Sequence, residues 1–145
     1  MKIESPSFKH GQPIPVKHTC KGQDISPELH FLDVPAKTVS LALIVDDPDA
    51  PMGTFDHWIA WNIPGSTRQL AEGERLSHQG RNGYQVQSYR GPCPPPGKVH
   101  RYFFKLYALD TELSLPNGIS KAQLEASLEG HILAKAELIG TFIKQ

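Results

Sequence analysis

The chain has 145 residues, a length that suits one compact domain, so residues 1–145 read as a single unit. A hydrophobic fraction of 39% and a charged fraction of 21% exclude an intrinsically disordered chain, and no apolar run reaches the roughly 18–20 residues that cross a bilayer. Lys plus Arg number 15, as do Asp plus Glu, so no net field favours nucleic acid or an acidic membrane, and any charge-selective binding has to be local.

The opening stretch, MKIESPSFKHGQPIP, lacks the continuous apolar core of a signal peptide, which points to the cytoplasm. The 13 prolines and 12 glycines, concentrated in the first two-thirds, cut the chain into short segments and favour strands over a helical bundle. Cys20 and Cys93 match neither a CxxC pair nor a zinc-finger spacing. In a cytoplasmic setting they are expected as reduced thiols; a disulfide is the alternative, since both fall in loops.

Strands are expected at 39–46, 57–63, 84–90 and 101–109, each rich in β-branched or aromatic residues and bounded by turn chemistry, with weaker candidates at 29–32 and 137–143. Between Gly91 and Gly97 the run Pro92-Cys93-Pro94-Pro95-Pro96 is too short to part domains and too stiff for a flexible tether. Ser120 followed by Gln123 forms a capping-box pattern ahead of Leu124, Leu128 and Ile132, which predicts a helix over about 120–135. Gly130 weakens that helix by roughly 1 kcal/mol and favours a bend there.

Three segments hold the polar residues that a site needs. Asp46-Asp47-Pro48-Asp49-Ala50-Pro51 leaves an apolar strand with three carboxylates in four positions, a pattern that ordinary Asx turns also produce. Strict alternation in the second segment places His57 with Ile59, Trp61 and Ile63, opposite Trp58, Ala60 and Asn62. In the third, His100 and Tyr102 head an apolar stripe that continues through Phe104 and Leu106, as at the polar end of a pocket. Imidazolium and phenol O–H are donors suited to an oxyanion, and a neighbouring Asp can fix a His tautomer. A carboxylate beside a dianion is repulsive, so Asp47 and Asp49 are assigned mainly to orienting and shaping.

In this order, Asp47-Pro48-Asp49-Ala50-Pro51, His57, Gly91-Pro92 with Pro94-Pro95, and His100-Arg101-Tyr102 resemble the phosphatidylethanolamine-binding protein family, which includes the Raf kinase inhibitor proteins. Thr19-Cys20-Lys21-Gly22, Ile25-Ser26-Pro27 and the tail around Gly130-His131-Ile132 are similar to its short bacterial and archaeal members. The resemblance implies a mainly β fold: a large antiparallel Greek-key sheet packed with a smaller sheet, the C-terminal helical segment and a final strand. It also implies an anion pocket with Asp47, His57, Gly91, Pro92, His100 and Tyr102 as ligand-binding residues, shaped by Asp49, Pro51, Pro94 and Pro95. The short stretch Met52–Asp56 lacks the segment that supplies a further pocket tyrosine in larger members.

The function implied is non-enzymatic binding of a small anion, phosphate or a phosphorylated group, without a cofactor and with possible modulation of a partner protein. Inhibition of a kinase or serine protease is the alternative reading, and a hydrolase or metal enzyme the least favoured, because no HExxH or GxSxG pattern is present. A homodimer is expected by the same resemblance. At least one cis X-Pro bond is expected in the pocket loops, and anion affinity is expected to fall as pH rises through imidazole titration.

Overall fold

The computed structural model describes residues 1–145. Seven strands and one α-helix follow in chain order: β1 (Lys2–Glu4), β2 (Leu29–Leu32), β3 (Ser40–Asp47), β4 (Phe55–Pro64), β5 (Gln69–Leu70), β6 (Val99–Leu109), α1 (Lys121–Leu128) and β7 (Ile132–Ile143). They form two antiparallel sheets, a four-stranded one in the order β4-β3-β6-β7 and a three-stranded one in the order β1-β2-β5. The connection leaving β4 returns to the far side of β3, the return step of a Greek-key path.

β3 explains the architecture. Its residues Leu41-Ala42-Leu43-Ile44-Val45 form a continuous apolar run, and all eight residues of the strand are buried, because both of its edges are paired and both of its faces are covered. On one face Leu41, Leu43 and Val45 join Phe104 and Leu106 of β6 and pack on Ile3, Leu29, Phe31 and Leu70 of the small sheet. On the other, Ala42 and Ile44 meet Ile59, Trp61 and the helix residues Leu124 and Leu128. The molecule is therefore layered as small sheet, large sheet and helix.

α1 starts as expected: Ser120 Oγ accepts the Gln123 N–H while Gln123 Oε1 accepts the Ser120 N–H. It ends at Leu128 rather than near 135, because Gly130 adopts a φ of +80° and the chain from Ile132 onward is taken up as the partner of β6. Ile132, which completes the helical spacing with Leu124 and Leu128, is a strand residue and exposed. The strand expected at 84–90 is absent. That segment is an irregular loop built on buried Asn82, whose Oδ1 accepts the N–H groups of Tyr84 and Val86 and whose Nδ2 donates to the Ser88 carbonyl. The expected cis proline is also absent, every peptide bond being trans.

The cysteines are joined: Cys20 and Cys93 form a disulfide with Cα atoms 5.4 Å apart. This corrects the expectation of two free thiols, which rested on compartment and not on geometry. No helix is long and apolar enough to cross a membrane.

Candidate functional site

The polar ends of β3, β4 and β6 meet at one end of the large sheet. Asp47 closes β3, where its backbone stands opposite Phe55 of β4, and its carboxylate is 3% exposed by residue. One oxygen, Oδ1, accepts the Asp49 N–H at 2.7 Å, and the other, Oδ2, accepts His100 Nδ1–H at 2.7 Å. Asp47 thus fixes the tautomer and orientation of His100, whose Nε2 has no partner within the chain.

His57 reaches the same place by a break in the strand. Between the pairs Val45↔Trp58 and Asp46↔Asp56 the register shifts, so β4 carries one extra residue, His57, against β3. A second shift between Leu41↔Ile63 and Leu43↔Ala60 surrounds Asn62, held at a φ of +51°. Such bulges re-aim side chains. Trp58 and Ile63 consequently belong to the core between the sheets, while Ile59 and Trp61 belong to the helix side. The alternation that grouped His57 with Ile59, Trp61 and Ile63 is corrected accordingly: His57 packs edge-on against Tyr102, with ring centroids 5.3 Å apart.

His57 Nδ1–H donates to the Arg90 carbonyl at 2.7 Å, leaving Nε2 without a protein partner. Burial lowers its pKa, against smaller opposing effects from the Arg90 carbonyl and the charge of Asp47. The lowered pKa favours the neutral imidazole in the free protein, so an anion that takes a hydrogen bond from the charged form has to draw in a proton. Tyr102 is 1% exposed and its Oη makes no hydrogen bond within the chain. Its pKa is raised, first by burial and then by the negative charge of Asp47, so the phenol keeps its proton and is available as a donor.

These groups line a cavity of about 150 Å³ together with Ala50, Pro51, Phe55, Tyr84, Cys93, Pro94 and Pro95. Tyr84 and Phe55 were not singled out from the sequence. The dipeptide Asn82-Gly83 is a turn signal and the one local clue that residue 84 stands at a loop tip; a Cβ on Gly83 would lie 2.3 Å from the end of the Phe55 ring, which would have to move aside. A tyrosine is thus supplied to the wall from the 82–90 loop, although Met52–Asp56 contains none. A second, more open groove of about 720 Å³ runs beside β1 and β7, but its His10 already accepts the Ile139 N–H and no other imidazole or phenol joins it.

Three expected site residues stand outside the lining. Gly91 and Pro92 are buried behind the wall: the Gly91 N–H donates to Asp24 Oδ1 at 2.8 Å and the Pro92 carbonyl accepts the Cys20 N–H at 3.1 Å. A Cβ on Gly91 would lie 1.9 Å from the His18 carbonyl oxygen, so this glycine serves close packing. Asp49 shapes the rim, accepting from Arg101 N, Nε and Nη2 at 2.8–2.9 Å. The hydrogen bonds from Arg101 are the main reason that its pKa falls to about 2. Pro51, Pro94 and Pro95 line the cavity as expected.

Comparison with known proteins covers nearly the whole chain. The family model described as phosphatidylethanolamine-binding protein matches residues 4–143. A UPF0098 protein of Aquifex aeolicus is 48% identical over 98% of this chain and 88% of its own length, and one of Pyrococcus horikoshii is 48% identical over 98% and 76%. Among solved structures, the phosphatidylethanolamine-binding protein homologue CT736 of Chlamydia trachomatis superposes with a TM-score of 0.95 at 45% identity, covering 99% of this chain and 97% of that one. YbcL of E. coli, described as a member of the mammalian family, gives 0.92 at 31% identity, covering 99% and 98%.

Proposed function

The chain belongs to the phosphatidylethanolamine-binding protein family, and from that premise we propose that it binds a small anion, phosphate or a terminal phosphorylated group, in the cavity between Asp47, His57, His100 and Tyr102. The observation that carries this reading is the buried, partnerless Tyr102 hydroxyl beside two imidazoles that each spend Nδ1 within the protein. Buried donors are ordinarily satisfied, and an oxyanion would satisfy this one and take protonated Nε2 groups as well. The cavity, about 150 Å³, suits a phosphate-sized group, being well below the roughly 300–1,000 Å³ of pockets for drug-sized ligands.

Binding without turnover is the companion proposal. The wall contains no serine, and its cysteine is tied up in the disulfide, so neither common nucleophile stands beside the imidazoles. Calorimetric titration of phosphate and phosphomonoesters into the wild type and into His57→Ala and His100→Ala variants tests the site. The variants are expected to lose at least about tenfold in affinity, the worth of a charge-assisted hydrogen bond; equal binding by all three proteins rejects the assignment.

The rim supports a second reading, contact with a protein such as a kinase or protease. Met52 is 98% exposed beside the pocket loop, and Pro95 and Pro96 are exposed on the opposite lip. Exposed apolar groups around a recessed polar site suit a partner that covers it. Pull-down from native cells with wild-type and Met52→Ser protein checks this; an unchanged set of partners removes Met52 from that surface. A homodimer is likewise a proposal, for which sedimentation at varied concentration is the measurement.

A further inference from the structure

The wall from Cys93 to Pro96 is poor in tethers. Pro94, Pro95 and Pro96 have no N–H to donate. The nearest backbone ties are the Pro92 carbonyl, which accepts from Cys20, and the Gly97 N–H, which donates to Lys144 at 3.0 Å; no backbone hydrogen bond holds residues 93–96 between them. The strongest link of this segment to the body of the protein is the bond from Cys93 to Cys20. Cys93, Pro94 and Pro95 all line the cavity, so the covalent link and the ligand wall are one piece of chain.

The disulfide is placed to be opened. Cys20 is exposed, whereas Cys93 is half-buried, and Lys144 Nζ lies 3.9 Å from Cys93 Sγ. An ammonium group beside a sulfur stabilises its thiolate and makes it the better leaving group.

We propose that the Cys20–Cys93 disulfide is a redox latch on the pocket, and that its opening by a dithiol reductant frees the wall and weakens anion binding. This rests on the anion-binding reading above. A thiolate of the reductant attacks Cys20 Sγ; the S–S bond breaks, its electron pair leaves on Cys93 Sγ beside Lys144, and a mixed disulfide with Cys20 forms. The second thiol of the reductant gives up its proton and attacks the mixed disulfide, releasing Cys20. Two electrons and two protons have then passed from the dithiol, now a disulfide, to the protein. Reduction acts on the pocket twice: the proline wall loses its covalent hold, and a sulfur able to carry negative charge is left facing an anion.

The test is calorimetric titration of inorganic phosphate into the oxidised protein, into the same protein reduced with dithiothreitol, and into a Cys20→Ser/Cys93→Ser variant, with circular dichroism at 10 °C as a check on folding. The reduced protein and the variant are expected to bind at least about tenfold more weakly, as loss of a preorganised wall implies, and reoxidation is expected to restore the wild-type value. Equal affinity in the oxidised and reduced states overturns the latch while leaving the anion site intact. Unfolding of the reduced protein overturns it as well, since the bond is then purely structural. Failure of the oxidised protein to bind phosphate rejects the anion reading itself.

Discussion

Tyr102 presents its phenol O–H to the cavity from an otherwise buried ring. Tyr102→Phe removes that donor and leaves the packing of the ring in place. The variant is therefore expected to lose about tenfold or more in phosphate affinity with little change in its thermal midpoint. Undiminished binding would remove the hydroxyl from the site. His57 makes a prediction with a sign. Its folded-state pKa is held below 6.5, chiefly by burial, so as pH falls the unfolded chain takes the proton first. Its contribution to stability is present above about 6.5 and is lost as pH falls toward the lowered folded value. Buried His18, shifted the same way for the same leading reason, adds to this acid sensitivity. A bound anion favours the imidazolium, so binding should draw in a proton and weaken as pH rises. Titration in two buffers of different ionisation heat measures the uptake; identical heats would remove His57 as a charged donor.

Among the elements, β3 and β6 were legible, because a continuous apolar run and a clean alternation are local signals that the tertiary structure kept. The capping box at Ser120 was legible for the same reason, and Ser120→Ala is expected to cost about 1 kcal/mol in chemical denaturation. Residues 84–90 and the far half of the expected helix were misread. In the first the nearby Asn82 side chain folds the loop onto itself in place of a strand; in the second a partner distant in sequence, β6, recruits Ile132–Ile143. The bulge at His57 had no local signal either, although it turns that imidazole toward Tyr102. Gly91 shows how an element can be seen and its task missed. The Gly-Pro pattern was visible, but the glycine is needed for the approach of His18 and Asp24. Gly91→Ala is accordingly expected to destabilise by about 3 kcal/mol or more through overpacking, with loss of phosphate binding as a consequence; wild-type stability in a denaturant titration would contradict the packing argument.

Across the whole molecule the disulfide spans 73 residues, joining the turn after His18 to the pocket wall. Closing a loop of that size restricts the unfolded chain by about 4 kcal/mol in the chain-entropy view, a large share of the roughly 5–15 kcal/mol that holds a domain folded. Denaturant unfolding of oxidised and reduced protein is expected to differ by about that amount, and coincident curves would dismiss the bond as a stabiliser. The expectation of reduced thiols followed from the expected compartment, which the bond by itself does not decide; alkylation of thiols in native cells before lysis reads the state of the pair directly.

By itself the sequence determined the preference for strands, the strands at the centre of the large sheet and the helix start, because composition and periodicity act over neighbouring residues; the set Asp47, His57, His100 and Tyr102 is united only by the resemblance of its ordered motifs to a known family. Only the tertiary structure decided that His57 turns toward Tyr102, that Tyr84 and Cys93 complete the wall, that Gly91 and Pro92 stand behind it, and that Cys20 reaches Cys93. Each of these depends on a strand register or a loop approach between segments far apart in the chain, where side-chain direction is fixed by what packs against it.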